Sequence, residues 1–175
     1  MDINEFIKSA SVEQLKIMQK TIKDEILTRG QQSSKFEKVI TFTDGASRGN
    51  PGHAGVGVLL FNEHDDKLFQ DYQYIGQCTN NEAEYRALLL ALDRVAEITH
   101  GVVECFADSE LLVRQMNGQY AIKSEKLLKF YDEVKQRIAK FKQVTFHHVP
   151  REHPKLRLAD ALANKAIDEA KPKIK

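Results

Sequence analysis

Three strand-patterned runs in succession, at residues 38–44, 55–62 and 67–76, constrain this chain more than any other feature. The connections between them are short enough for hairpins, so these runs pair antiparallel. Thereafter the pattern alternates: helix 80–98, strand 102–108, a short helix 109–117, a longer helix 124–141, strand 143–149 and a helix from about 157 to 170. Strands separated by helices favour parallel pairing. The order therefore predicts an α/β fold whose five-stranded mixed sheet begins antiparallel, continues parallel and is covered by helices.

The first 30 residues stand apart. Asp2 with Glu5, and Ser11 with Gln14, each fit a capping box, and Gly30 is a plausible stop, so the pattern predicts a helical hairpin over 1–30. Leu15, Met18, Ile22 and Ile26 form a stripe on its second helix. Residues 31–37, rich in Gln and Ser, are expected to link it to a domain over 38–175. Through Lys35 the extension carries six basic and five acidic residues, which suits a role in shape or self-association better than a phosphate clamp.

Composition narrows the function classes. With 26 basic and 25 acidic residues there is no global positive field, so any nucleic-acid contact is local. A hydrophobic fraction of 42% suffices for a sizeable core. Cys78 and Cys105 lack metal-ligand spacing and read as reduced thiols. No apolar run approaches a membrane span and the start MDINEFIKSA is polar, so a cytoplasmic protein without membrane contact is expected.

Four carboxylates fall in unusual places. In VITFTDGASRGNPGHAGVG, Asp44 shares a strand face with Ile40 and Phe42 and stands at the expected strand end, before a glycine-rich turn. Gly55 and Gly57 would let another backbone approach closely. In NNEAEYRALLLALDRVAE, a helical wheel puts Glu82, Arg86, Asp93 and Glu97 on a solvated side, whereas Glu84 lies among Ala87, Leu88, Ala91 and Val95 and points inward. Asp108 repeats the Asp44 pattern after Phe106, and parallel pairing of the two strands would bring both to one edge. Asp160 lies near the start of the last helix, beside the Ala163, Ala166 and Ile167 stripe. Singly, each has a plain structural reading: a capped turn, a buried ion pair, a helix cap and a first-turn aspartate. Together, without an accompanying base or thiol nucleophile, they suit hard divalent cations such as Mg²⁺ or Mn²⁺ and phosphoryl displacement.

The motifs TDGASRGNPG, TNNEAE, ADSE and ADALAN, in this order over about residues 38–170, resemble the type 1 class of the ribonuclease H family. The resemblance implies the ribonuclease H-like sheet and an endoribonuclease acting on the RNA strand of RNA–DNA hybrids, leaving 5′-phosphate and 3′-hydroxyl ends. It implies two Mg²⁺ ions, replaceable by Mn²⁺, held by Asp44, Glu84, Asp108 and Asp160. Asp44 would bridge them, Asp160 would serve the water side, and Glu84 and Asp108 the leaving oxygen. Asn50, Asn80 and Asn81 match positions that meet ribose 2′-hydroxyls or nearby bases, and Thr79 a DNA-phosphate contact. Gly45 and Ser109 complete the substrate-binding set.

Departures from some relatives are informative. NGQYAIKSEK replaces a basic, tryptophan-bearing protrusion, and the chain has no tryptophan. Relatives without the protrusion include enzymes that also attack double-stranded RNA, so that duplex is an alternative substrate. Where many bacterial members carry a loop histidine, ten residues before the last aspartate, this chain has Pro150. The sequence VPRE makes Arg151 the functional neighbour, with His153 as its competitor. Two other readings are a ribonuclease H-like nuclease for a different nucleic acid and a non-catalytic nucleic-acid-binding module.

Overall fold

The computed structural model describes residues 8–32, with side chains through Lys23, and residues 36–170. The chain divides into two compact units, Met1–Ser34 and Lys35–Lys175. In the first, helix α1 spans Val12–Gln32. Its start is closed as expected: the Ser11 N–H donates to Gln14 Oε1 at 2.9 Å and the Gln14 N–H to Ser11 Oγ at 3.3 Å. Gly30 does not stop the helix, which continues to Gln32; one glycine costs a helix only about 1 kcal/mol relative to alanine. The expected helix before Ser11, with Asp2 and Glu5, falls largely outside the described residues.

In the second unit the described residues form β1 (Lys38–Gly49), β2 (Gly52–Asn62), β3 (Lys67–Cys78), α2 (Asn80–Ala96), β4 (Val102–Ala107), α3 (Glu110–Met116), α4 (Glu125–Ile138), β5 (Gln143–His148) and α5 (Pro154–Ala170). One five-stranded sheet runs β3-β2-β1-β4-β5. The first two pairings are antiparallel, whereas β1–β4 and β4–β5 are parallel, as the order of elements predicts. Phe36 and Glu37, within the expected linker, already bond to this unit: the Phe36 carbonyl accepts from Thr99 Oγ1 and the Glu37 carbonyl from the Val102 N–H.

Alternation sorts the sheet residues between two cores. Val39, Val58, Leu60, Val103 and Cys105 pack with the apolar faces of α2 and α4. Phe42, Leu59 and Phe61 pack with Leu156 and Ala159 of α5. Cys78 and Cys105 are both buried free thiols, and no helix among the described residues is long and apolar enough to cross a membrane.

Two boundaries differ from the sequence reading in ways that matter for the site. Strand β1 continues through Gly49 and pairs with β2 as far as Gly49↔Gly52, so Asp44 stands inside a long hairpin and not at a strand end. Helix α5 begins at Pro154, which puts Asp160 in its second turn; proline is well suited to a first helical turn because its missing N–H would be unpaired there anyway.

Candidate active site

Close backbone contacts bring the carboxylates together. Asp44 pairs across the hairpin with Gly57. A Cβ on Gly57 would lie 2.1 Å from the Ala159 carbonyl oxygen, and one on Gly55 2.4 Å from that of Ala163. Helix α5 thus rests directly on β2, with Asp160 following the residue that touches Gly57. Gly45 does the same for α2: its Cβ would fall 2.3 Å from the Ala83 carbonyl carbon and 2.4 Å from the Glu84 nitrogen. Asp108 arrives by parallel pairing, since Phe42 stands opposite Phe106 and each aspartate lies two residues further on.

Asp44, Glu84 and Asp108 each place a carboxylate oxygen within 4.8 Å of the others. Asp44 and Glu84 are each only 4% exposed. Asp44 Oδ2 and Glu84 Oε2 are buried with no hydrogen-bond partner. Burial, reinforced by the charges of Asp108 and Asp160, pushes the Asp44 carboxyl up to about 7, against the opposing charge of Arg151. Glu84 is pushed well above the usual carboxylate range by burial and then by Asp44 and Asp108, with a Gly45 backbone hydrogen bond and Arg151 opposing. Burial also raises Asp108, with Arg151 the main opposing influence. Asp160 lies outside the three-oxygen group and joins it through Arg151, whose Nη2 donates to Asp160 Oδ1 at 2.7 Å while Nε lies 3.8 Å from Asp108 Oδ2. Buried, unpartnered oxygens in an all-carboxylate donor set fit a hard divalent cation.

The residues expected to face substrate gather beside this cluster, at the start of α2. Thr79 is the N-cap, its hydroxyl accepting the Glu82 N–H at 3.3 Å. The Asn80 N–H donates to Asn50 Oδ1 at 3.2 Å, tying the hairpin tip to the helix start. Asn50, Asn80 and Asn81 are exposed, whereas Gly45 is buried beneath α2. Ser109, next to Asp108, caps α3 by accepting the Leu112 N–H. Glu82 corrects the sequence reading. Instead of facing solvent it is 5% exposed, because the Thr79-x-x-Glu82 capping box turns it back over the helix start. That spacing was present in the sequence.

The family model described as "Reverse transcriptase-like" matches residues 42–166. Ribonuclease HI of Halobacterium salinarum is 35% identical over 144 residues, covering 82% of this chain and 71% of the relative. The chain belongs to the type 1 ribonuclease H family. "Bifunctional protein Rv2228c" of Mycobacterium tuberculosis is 39% identical over 76% of this chain but only 36% of its own length, so this ribonuclease H chain spans about a third of that relative. The crystal structure of LC11-RNase H1 in complex with RNA/DNA hybrid superposes with a TM-score of 0.71 at 40% identity, covering 75% of this chain and 98% of that one.

Within this ribonuclease H site the loop before α5 separates its two competitors. Arg151 reaches the carboxylates. His153 instead stacks on Phe42, with ring centroids 5.1 Å apart and planes at 13°, and its Nδ1 accepts the Lys155 N–H at 3.3 Å. Pro150 contributes its carbonyl to the His153 N–H. A histidine absent from the sequence reading, His148, bonds through Nε2 to the Asp108 carbonyl oxygen at 3.2 Å. No local sequence pattern marks that contact, which depends on the β4–β5 register.

Proposed function

We propose that the chain is an endoribonuclease that hydrolyses the RNA strand of RNA–DNA hybrids, leaving 5′-phosphate and 3′-hydroxyl ends. The observation that carries this reading is the buried, unpartnered carboxylate group of Asp44, Glu84 and Asp108 in a type 1 ribonuclease H fold. Asp44, Glu84, Asp108 and Asp160 would hold two Mg²⁺ ions, with Mn²⁺ as a substitute. When bound, such ions activate water and stabilise charge on the phosphate and the leaving oxygen. The relative named for its complex with an RNA/DNA hybrid supports the substrate class.

The remaining roles belong to this chain's own side chains. Asn50, Asn80 and Asn81 present amides that both donate and accept, which suits recognition of the ribose 2′-hydroxyl. Thr79, its hydroxyl held by the cap, stands beside them for the DNA backbone. Gly45 and Ser109 keep the backbone close at the cluster's margins. Arg151 orients Asp108 and Asp160 and offers a permanent positive charge to the scissile or leaving phosphate; its bond to Asp160 raises its pKa further, so it does not shuttle protons. His153, packed on Phe42, has a structural role. Residues 38–175 are read as the catalytic domain and 1–30 as an extension, in a cytoplasmic protein.

Comparing labelled RNA·DNA, RNA·RNA and DNA·DNA duplexes, each with Mg²⁺ and with Mn²⁺, tests the reading. Cleavage confined to the RNA strand of the hybrid is expected. Cleavage of RNA·RNA at a comparable rate would extend the substrate class to double-stranded RNA, and binding without cleavage of any duplex would make the chain a non-catalytic module.

A further inference from the structure

Glu82 takes no part in the carboxylate cluster, yet its side chain is only 7% exposed and both of its oxygens are engaged. Oε2 accepts the Thr79 N–H at 3.2 Å, closing the capping box. Oε1 meets Lys126 Nζ at 2.9 Å. Lys126 lies in the first turn of α4 and is otherwise open to solvent, with 72% of its side chain exposed. A capping box alone is local to one helix. The Lys126 contact adds a tie to a second helix. On the hairpin side, Ser47 Oγ donates to the Cys78 carbonyl at 2.7 Å, just before Thr79. Residues 78–82 are therefore tied both to the hairpin and to α4, and the Lys126 tie is a charge pair whose carboxylate is desolvated.

We propose that Lys126 and Glu82 form a positioning clamp that fixes the start of α2 against α4 and so sets the geometry in which Thr79, Asn80 and Asn81 meet the backbone of a nucleic-acid duplex. Neither residue touches substrate. The clamp rests on the reading of Thr79–Asn81 as substrate-facing. Its chemistry is that of a buried carboxylate met by an exposed cation: removing the cation leaves a desolvated carboxylate with only the Thr79 N–H as partner, whereas removing both charges leaves an amide that still caps the helix. A lysine that contacted phosphate directly would behave differently, because its effect would not depend on Glu82.

A double-mutant cycle of Lys126→Met, Glu82→Gln and the double variant, with kcat, KM and melting temperature measured on an RNA·DNA hybrid, tests the clamp. Lys126→Met is expected to raise KM by about fivefold or more with kcat within about twofold, and to lower the melting temperature. The double variant should have a KM clearly below that of Lys126→Met and should recover stability, and Lys126→Arg should restore KM. An equal KM penalty for Lys126→Met with Glu82 or Gln at position 82, together with a shallower salt dependence of KM, would assign Lys126 to a direct phosphate contact and overturn the clamp. A lowered melting temperature with unchanged KM would overturn it as well, leaving a purely structural pair. Asn81→Ala separates the two levels: unchanged KM there removes the substrate-facing reading and the clamp with it. A raised KM in Asn81→Ala but not in Lys126→Met removes the clamp alone.

Discussion

Asp44 is the residue at which burial and like charge act together, and its titration gives a signed prediction. Its folded pKa of about 7 lies above the ordinary value of 3.8, so the folded state holds this proton more tightly than the unfolded chain. The associated stability is fully present below pH 4 and is lost as pH rises through about 7, a loss on the order of 4 kcal/mol for the group taken alone. With a chelator present, Asp44→Asn should therefore melt higher than wild type at pH 8 and approach it at pH 4. Thermal unfolding at stepped pH checks this; parallel curves for the two proteins would contradict it. Arg151 and His153 separate by kinetics. Arg151→Ala should slow turnover about tenfold or more, the scale of losing one group that stabilises developing charge. His153→Ala should leave turnover nearly unchanged and cost about 1 kcal/mol of stability through its lost stack on Phe42. Turnover from pH 6 to 9 decides between them, since a large loss in His153→Ala, with a missing ionisation near neutrality, would give the histidine a proton-transfer role in place of Arg151.

Between elements, the decisive contacts are those of helix backbone on strand glycines. Gly57→Ala would drive a methyl into the Ala159 carbonyl, now 2.1 Å from the Cβ position, so α5 must shift and carry Asp160 with it. Such overpacking typically costs about 1–3 kcal/mol. Denaturant unfolding should show that loss, and divalent cations should stabilise the variant less than wild type. Much of this was legible in the sequence. The change from antiparallel to parallel pairing followed from the order of strand and helix patterns, and the inward aim of Glu84 followed from its place on an apolar helical stripe. Glycines 55 and 57 announced a close approach, but which backbone approached them depended on α5, about a hundred residues later in the chain. Glu82 was misplaced because a helical wheel assumes that side chains project radially, whereas a capping-box glutamate folds back onto its own helix start. The extent of β1 was equally hidden: GASRG contains turn formers, and only pairing with the glycine-rich start of β2 keeps it extended through Gly49. The Arg48 guanidinium adds a tertiary tie, pairing with both oxygens of Asp168 on α5 at 2.6 and 3.0 Å.

For the whole molecule, two units imply a separable contribution from the first. Removing residues before position 36 should raise KM for hybrid or change the sedimentation coefficient per mass if the extension engages substrate or a second copy. A change in melting temperature alone would restrict it to stability. The catalytic reading itself turns on whether four carboxylates from four elements act through divalent cations on one strand of a hybrid. Single-turnover cleavage of an end-labelled RNA·DNA hybrid by wild type and Asp44→Asn, across an Mg²⁺ titration that starts from chelated protein, measures this most directly. Cation-dependent scission of RNA by wild type, an intact DNA strand and no scission by Asp44→Asn at any Mg²⁺ concentration are the outcomes predicted. Near wild-type cleavage by Asp44→Asn, or cleavage that persists in chelator, would contradict it.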